Sequence, residues 1–200
     1  MQLSETGNEC FAFDTDLKEI EITSSYDSYL IDQNGNRYID FTMGWCVGNI
    51  GWNHPEVINA IKNFSGPTYV SPHFAYQPWV ELADLLAEIT PGNLMKCFRA
   101  TGGTEAVEIA LQAAMKYTGR NKFIGVEGAY HGNSLATMGL VEESPLFNWR
   151  KIKPPLNAQT ANELELLLKD EDVAAFIMEP VITNLEVEIP ERIFMERMQE

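Results

Sequence analysis

Residues 101–108, Thr-Gly-Gly-Thr-Glu-Ala-Val-Glu, stand where a short apolar run, Met95 to Ala100, gives way to a helical pattern. The first N–H groups of a helix lack intrahelical partners and sit at the positive end of its macrodipole, so paired glycines let a phosphate come close to them. Gly102, Gly103 and Thr104 are therefore candidate anion-cradle residues. The next strand-like run, Lys122 to Val126, leads into a second glycine-bounded turn, Gly128-Ala129-Tyr130-His131-Gly132. An aromatic ring and an imidazole at one strand exit, with an anion cradle at another, fit a phosphorylated, planar cofactor.

Each feature also has a plainer reading. Paired glycines solve backbone geometry at many strand-to-helix turns. Tyr130 could be a core or rim aromatic, and His131 a structural hydrogen-bonding residue rather than a base. The turn is neither a mononucleotide loop, since no Lys-Ser or Lys-Thr follows, nor a G-x-G-x-x-G dinucleotide fingerprint.

The elements that must position these residues follow from periodicity. Ser28 to Asp32 and Arg37 to Phe41 alternate in polarity around Asn34-Gly35, which predicts a β-hairpin. Pro55 suits the first position of a helix capped by Asn53 or His54, with Val57, Ile58 and Ile61 on one face. Trp79, Leu82, Ala83, Leu86 and Ile89 recur at helical spacing until Pro91-Gly92 stops them, and that stripe is read as core-packing. Then come a strand at 95–100, a helix opened by Gly103, a strand at 122–126 and a short helix after the second turn. A proline-bearing loop, whose basic residues Arg150, Lys151 and Lys153 are read as solvated, leads to a helix near Ala158 to Lys169. An apolar run, Val173 to Met178, and a last helical pattern with Ile193, Phe194 and Met198 follow. Strands alternating with helices imply an α/β fold, a mainly parallel sheet with flanking helices.

Composition narrows the classes. Fourteen Lys plus Arg against 29 Asp plus Glu give a formal charge of −15, which repels nucleic-acid phosphates and anionic membranes. No uninterrupted apolar run reaches the length of a membrane helix. The start, Met1-Gln2-Leu3-Ser4-Glu5, lacks the basic and apolar regions of a secretory signal, so a cytoplasmic protein is expected. Cys10, Cys46 and Cys97 are odd in number and widely spaced, and with His54, His73 and His131 they offer no zinc-site spacing.

The blocks, taken in order, resemble the class III pyridoxal-phosphate-dependent aminotransferases of fold type I, the ornithine, acetylornithine and 4-aminobutyrate type. The resemblance runs through Tyr29-Leu30-Ile31-Asp32, Gly35-Asn36-Arg37-Tyr38-Ile39-Asp40-Phe41 and Gly48-Asn49-Ile50-Gly51-Trp52-Asn53-His54-Pro55. It continues through Gly103-Thr104-Glu105-Ala106, Tyr117-Thr118-Gly119-Arg120, Tyr130-His131-Gly132 and Ile177-Met178-Glu179-Pro180. It implies that residues 1–54 are an N-terminal small-domain segment with the hairpin and that 55–200 are the first part of the large, cofactor-binding domain. It implies pyridoxal 5'-phosphate as cofactor, with Gly102, Gly103 and Thr104 at its phosphate, Tyr130 stacked on its ring, His131 supporting the turn and Glu179 in the pocket. The expected partners are a small-molecule amino donor and a keto acid, and the full-length form is expected to be a homodimer.

Three departures qualify the resemblance. Gly102 stands where the family usually has a serine, which removes one hydroxyl donor and leaves the amides. Asn184 stands where a second glutamate commonly follows the Glu-Pro pair, which implies an altered substrate set, and Trp45 either lines the substrate pocket or packs under the hairpin. The family's Schiff-base lysine, and the aspartate that pairs with the pyridine nitrogen, lie beyond the region matching Glu179, and no lysine of this chain stands in a matching context. The chain is thus read as the N-terminal half of an aminotransferase, without catalytic residues of its own and inactive in isolation. The alternatives are an aminomutase or decarboxylase of the same fold, or a non-catalytic fragment that binds or dimerises with a full-length relative.

Overall fold

The computed structural model describes residues 20–199; Cys10, Lys18 and the remainder of positions 1–19 lie outside that range. The chain divides into two compact units, with the boundary between Ala75 and Tyr76.

The first unit is built on an antiparallel sheet. β1 (Ile22–Tyr26) pairs with β2 (Tyr29–Asp32), and β2 pairs with β3 (Arg37–Ile39) in the register Tyr29 opposite Ile39. The Asn34-Gly35 turn forms as expected, with Gly35 at φ +81°. The Asp32 carboxylate accepts from the N–H groups of Asn34 and Asn36 (2.9 and 2.8 Å), the Asn36 amide (2.9 Å) and the Tyr38 hydroxyl (3.0 Å). These donors, Asn36 foremost, hold its carboxyl below the usual aspartate range. Asp40 does the same for the next corner, accepting from the Thr42 hydroxyl and N–H, the Met43 N–H and the Trp52 indole.

Beyond that corner Met43, Gly44, Trp45 and Cys46 all take positive φ, a left-handed turn that leaves Trp45 84% exposed. Trp45 therefore does not pack under the hairpin. The Trp52 ring lies against Gly44 and Gly48. α1 (Pro55–Lys62) starts on proline, but neither expected side-chain cap forms. The Asn53 amide is spent on the Ser25 carbonyl at 2.6 Å, a contact 28 residues away in sequence.

In the second unit α2 (Gln77–Ile89) and α3 (Gly103–Thr118) precede a parallel sheet of order β5-β4-β6, formed by β4 (Lys122–Val126), β5 (Arg150–Ile152) and β6 (Val173–Phe176). α4 (Leu135–Gly139), α5 (Ala158–Leu168) and α6 (Arg192–Arg197) alternate with the strands. β4 is buried on both faces, as a central parallel strand must be. Phe123 points to a core with Leu111 and Leu140, and Ile124 and Val126 to another with Ile152, Leu156, Leu164 and Phe194. The α/β class with a parallel sheet, preceded by a hairpin, is therefore the observed fold.

Three expectations fail here. Met95 to Ala100 is not a strand: it pairs with none of the described strands, and Met95 and Phe98 are exposed. The α2 stripe is not core among the described residues, since Leu82, Leu86 and Ile89 are exposed. Arg150 and Lys151, expected in a solvated loop, form β5. Arg150 escapes the cost of a strand position by pairing with Asp170 at 3.2 Å and with Asp172.

Asp172 also binds Lys122 at 2.6 Å. That hydrogen bond first, helped by Arg150 and opposed by burial, holds its carboxyl below the ordinary range. A carboxyl whose folded pKa is depressed stabilises the fold above its unfolded pKa and loses that contribution as pH falls through the folded value. The urea midpoint should therefore fall more steeply between about pH 5 and 3 in the wild type than in Asp172→Asn. Parallel curves would remove Asp172 from the acid response. No helix among the described residues is long and apolar enough to cross a membrane.

Candidate functional site

Both glycine turns and Glu179 meet at one edge of the parallel sheet. β4 and β6 run in the same direction, so the turn after Val126 and the Glu-Pro pair after Phe176 leave the carboxyl edge together. In open α/β sheets that edge is where ligands bind.

Glu179 joins them. One carboxylate oxygen accepts the Tyr130 backbone N–H at 2.9 Å, and the other lies 3.3 Å from the Thr183 hydroxyl. Glu179 is half-buried and engaged, rather than a solvated strand-end carboxylate. Its grip fixes the backbone of the turn, and Tyr130 is 45% exposed. His131, by contrast, is only 8% exposed, and its Nε2 is enclosed without a hydrogen-bond partner among the described residues. Burial pushes the imidazole pKa down, and the Glu179 carboxylate pulls partly the other way.

The α3 N-terminus is held against the same turn. Gly132, at φ +120°, brings its bare Cα onto the Thr104 side chain, and the Asn133 N–H points at the Thr104 hydroxyl oxygen at 3.4 Å. That oxygen accepts, so its own proton remains free to donate. Further along, the Ser134 hydroxyl caps α4 and also reaches Glu108 of α3.

Gly102 has an extended backbone, φ −173°, that any residue adopts, and Gly103 has no positive φ. A Cβ at either position would meet nothing within 4 Å. Neither backbone conformation nor contact with the described residues requires glycine there. Gly125, Gly128 and Gly132 are different, because a Cβ on each would collide with a neighbour. What the bare pair does provide is open approach to the first N–H groups of a 16-residue helix.

The structure thus brings Gly102, Gly103, Thr104, Tyr130, His131 and Glu179 to one place, and Trp45 belongs to the first unit. Sequence reasoning missed Thr183, Asn133 and Ser134. Ser134 carried a weak signal, because its capping partner is Thr137 rather than the usual Glu or Gln. Asn184 is exposed in a tight loop closed by the pairing of Ile182 with Glu188.

The sequence pattern of the family described as aminotransferase class-III matches residues 12–200. The chain belongs to the class-III aminotransferase family. It is 36% identical over 177 residues to the acetylornithine aminotransferase of Methanopyrus kandleri, covering 84% of this chain and 44% of that protein. It is likewise 36% identical over 196 residues to glutamate-1-semialdehyde 2,1-aminomutase 2 of Lachnoclostridium phytofermentans, covering 90% and 45%. Among solved structures, the omega transaminase of Pseudomonas jessenii in complex with PMP superposes with a TM-score of 0.86 at 22% identity, covering 100% of this chain and 53% of that one. The taurine:2-oxoglutarate aminotransferase of Bifidobacterium kashiwanohense, in complex with PLP and glutamate, gives 0.84 at 20% identity, covering 98% and 51%. At such identity the structural likeness establishes the fold. This class-III chain spans about half the length of the relatives it matches.

The cofactor of class-III aminotransferases is pyridoxal phosphate. The donors on this chain fit part of it. Two open helix-terminal amides and a hydroxyl suit its phosphate, and an exposed ring held by its backbone suits its pyridine face. Lys122 and Lys153, by contrast, are paired with Asp172 and Glu127.

Proposed function

We propose that these residues are the cofactor-cradling part of a class-III aminotransferase that moves an amino group from an amine or amino acid to a keto acid. The observation that carries this reading is the open Gly102-Gly103 pair, glycine without conformational or contact need, beside an exposed aromatic pinned by Glu179. The Gly103 and Thr104 N–H groups and the Thr104 hydroxyl hold the phosphate. Tyr130 stacks on the ring, His131 braces the turn from below, and Glu179 fixes the backbone of Tyr130. Bound there, pyridoxal phosphate supplies the electron-withdrawing ring that lets nitrogen leave one carbon skeleton and join another. Trp45, exposed on its left-handed turn, is an aromatic side chain free to contact substrate.

In this reading the Schiff-base lysine and the aspartate at the ring nitrogen come from sequence beyond Glu200. The small domain comprises residues up to about 54, and the whole protein is a cytoplasmic homodimer. Cys46 and Cys97 are exposed and form no disulfide among the described residues. A same-fold aminomutase is the second reading, favoured by the likeness to glutamate-1-semialdehyde 2,1-aminomutase 2. Dependence of turnover on an external keto acid separates the two.

Pyridoxamine 5'-phosphate, which needs no lysine, tests the cradle on the 200-residue chain. Equilibrium dialysis should show weak binding displaced by inorganic phosphate, with no transamination by the chain alone. Charge-assisted hydrogen bonds contribute roughly 1.5–3 kcal/mol each, against about 0.5–1.5 kcal/mol for stacking beyond area burial. Gly103→Val should therefore abolish measurable binding, while Tyr130→Ala should weaken it roughly 3- to 10-fold. Equal losses, or binding indifferent to phosphate, would mean that the phosphate sits elsewhere.

A further inference from the structure

α3 opens on Gly102, which has no side chain to cap the helix. A capping Asp at that position would accept the N–H of the second or third helical residue, Thr104 or Glu105. The cradle proposed above needs the Thr104 donor free. The helix nonetheless has an anchor, and it lies one residue further out. Glu105, the third helical residue, reaches back past the N-cap to Thr101, accepting its N–H at 2.6 Å and its hydroxyl at 2.5 Å on one carboxylate oxygen. A usual capping box returns the third residue's carboxylate to the N-cap amide itself. The displaced version closes the turn into α3 without using the N–H groups of Gly103 or Thr104.

The charge is managed by the same contact. A carboxylate near a helix N-terminus complements the dipole but repels a bound anion. Here both Thr101 donors converge on it, and they hold its carboxyl below the ordinary glutamate range, the hydroxyl most of all. Thr101 and Glu105 thus form a closed pair beside the glycines.

We infer that Glu105 is the positioning residue of the cradle: by tying Thr101 across the turn it keeps the Gly103 and Thr104 N–H groups uncapped and aligned for a phosphate monoester. This rests on the proposed function, and its consequences differ from those of a merely stabilising carboxylate. Glutamine keeps an acceptor oxygen for Thr101, whereas alanine keeps none.

Hydrogen–deuterium exchange of the peptide covering residues 99–106, with and without pyridoxamine 5'-phosphate or inorganic phosphate, reads the donors directly in the 200-residue chain. In the wild type either ligand should slow exchange of that peptide. Glu105→Gln should keep the affinity within about threefold, while Glu105→Ala and Thr101→Val should each weaken it roughly tenfold. The double variant Thr101→Val/Glu105→Ala should lose no more than either single one, because the pair acts as a unit. If Glu105→Ala speeds exchange along α3 without ligand and leaves the phosphate affinity unchanged, Glu105 only stabilises the helix and the inference is overturned. Additive losses overturn it as well. A wild type in which neither ligand alters the exchange removes the cradle itself, an outcome distinct from both.

Discussion

Gly125→Ala should cost the second unit its fold, lowering its melting temperature by roughly 10 °C or more. Gly125 is the fourth residue of β4, the central strand, and pairs with Lys151 of β5. A Cβ there would lie 2.1 Å from the Leu140 backbone oxygen and 2.9 Å from its carbonyl carbon. A carbonyl that follows a helix cannot rotate away as a flexible side chain can, so α4 or β4 must shift. Overpacking of a core costs typically about 1–3 kcal/mol, and a backbone obstacle at this distance places the change at or above the upper end. Leu140 is itself fully buried with Phe123 and Leu111, so the shift propagates into that core. Gly102→Ala is the matched control, since a Cβ at Gly102 meets nothing within 4 Å and its backbone is extended. It should melt within about 2 °C of the wild type. If Gly125→Ala melts beside Gly102→Ala, β4 does not run under Leu140.

The contrast between these glycines shows what the sequence alone discloses. Glycines at strand exits mark close approach or open access, and the sequence does not say which. Gly102-Gly103 and Gly128 to Gly132 look alike as text, yet only the second turn is crowded. Apolar runs share that limit. Val173 to Phe176 and Met95 to Ala100 have similar character, and the first became β6 because β4 lies beside it. The second finds no partner strand among the described residues, because pairing depends on what is adjacent in space. β5 was hidden for the opposite reason. Its charged residues look solvated until Asp170 and Asp172, 20 and 22 residues on, come round to meet Arg150.

The site follows the same division. Gly103, Tyr130 and Glu179 could be picked out one by one as candidates, because Gly103 opens α3 while Tyr130 and Glu179 follow β4 and β6 within four residues. The bond that joins the last two, Tyr130 N–H to Glu179, spans 49 residues and leaves no local pattern. Thr104 illustrates it again, since its hydroxyl reads as a spare donor until Asn133, 29 residues away, is seen to take one lone pair.

The joint between the two turns is where a single methyl group should do most harm to binding while sparing the sheet. Gly132 holds φ +120°, which L side chains rarely adopt, and its Cβ would stand 2.4 Å from the Thr104 hydroxyl oxygen and 2.9 Å from both of its carbons. Backbone strain of this kind costs on the order of 1–3 kcal/mol. The collision adds a displacement of Thr104, a residue of the first helical turn, away from the Tyr130 turn. The main cores contain neither residue, so the chain should stay folded by circular dichroism. Binding of pyridoxamine 5'-phosphate, which needs amides and ring at a fixed separation, should drop by more than about tenfold, as misplacement of a preorganised group implies. Thr104→Ala removes the hydroxyl and the methyl that meet the new Cβ, so in the background of Gly132→Ala it should recover part of the lost stability. In the wild-type background it should only weaken binding. Residues in contact couple by about 0.5–3 kcal/mol in such a cycle. Strictly additive effects of the two substitutions on stability would mean that Gly132 and Thr104 do not touch, and the phosphate end and the ring end of the site would then have no common anchor.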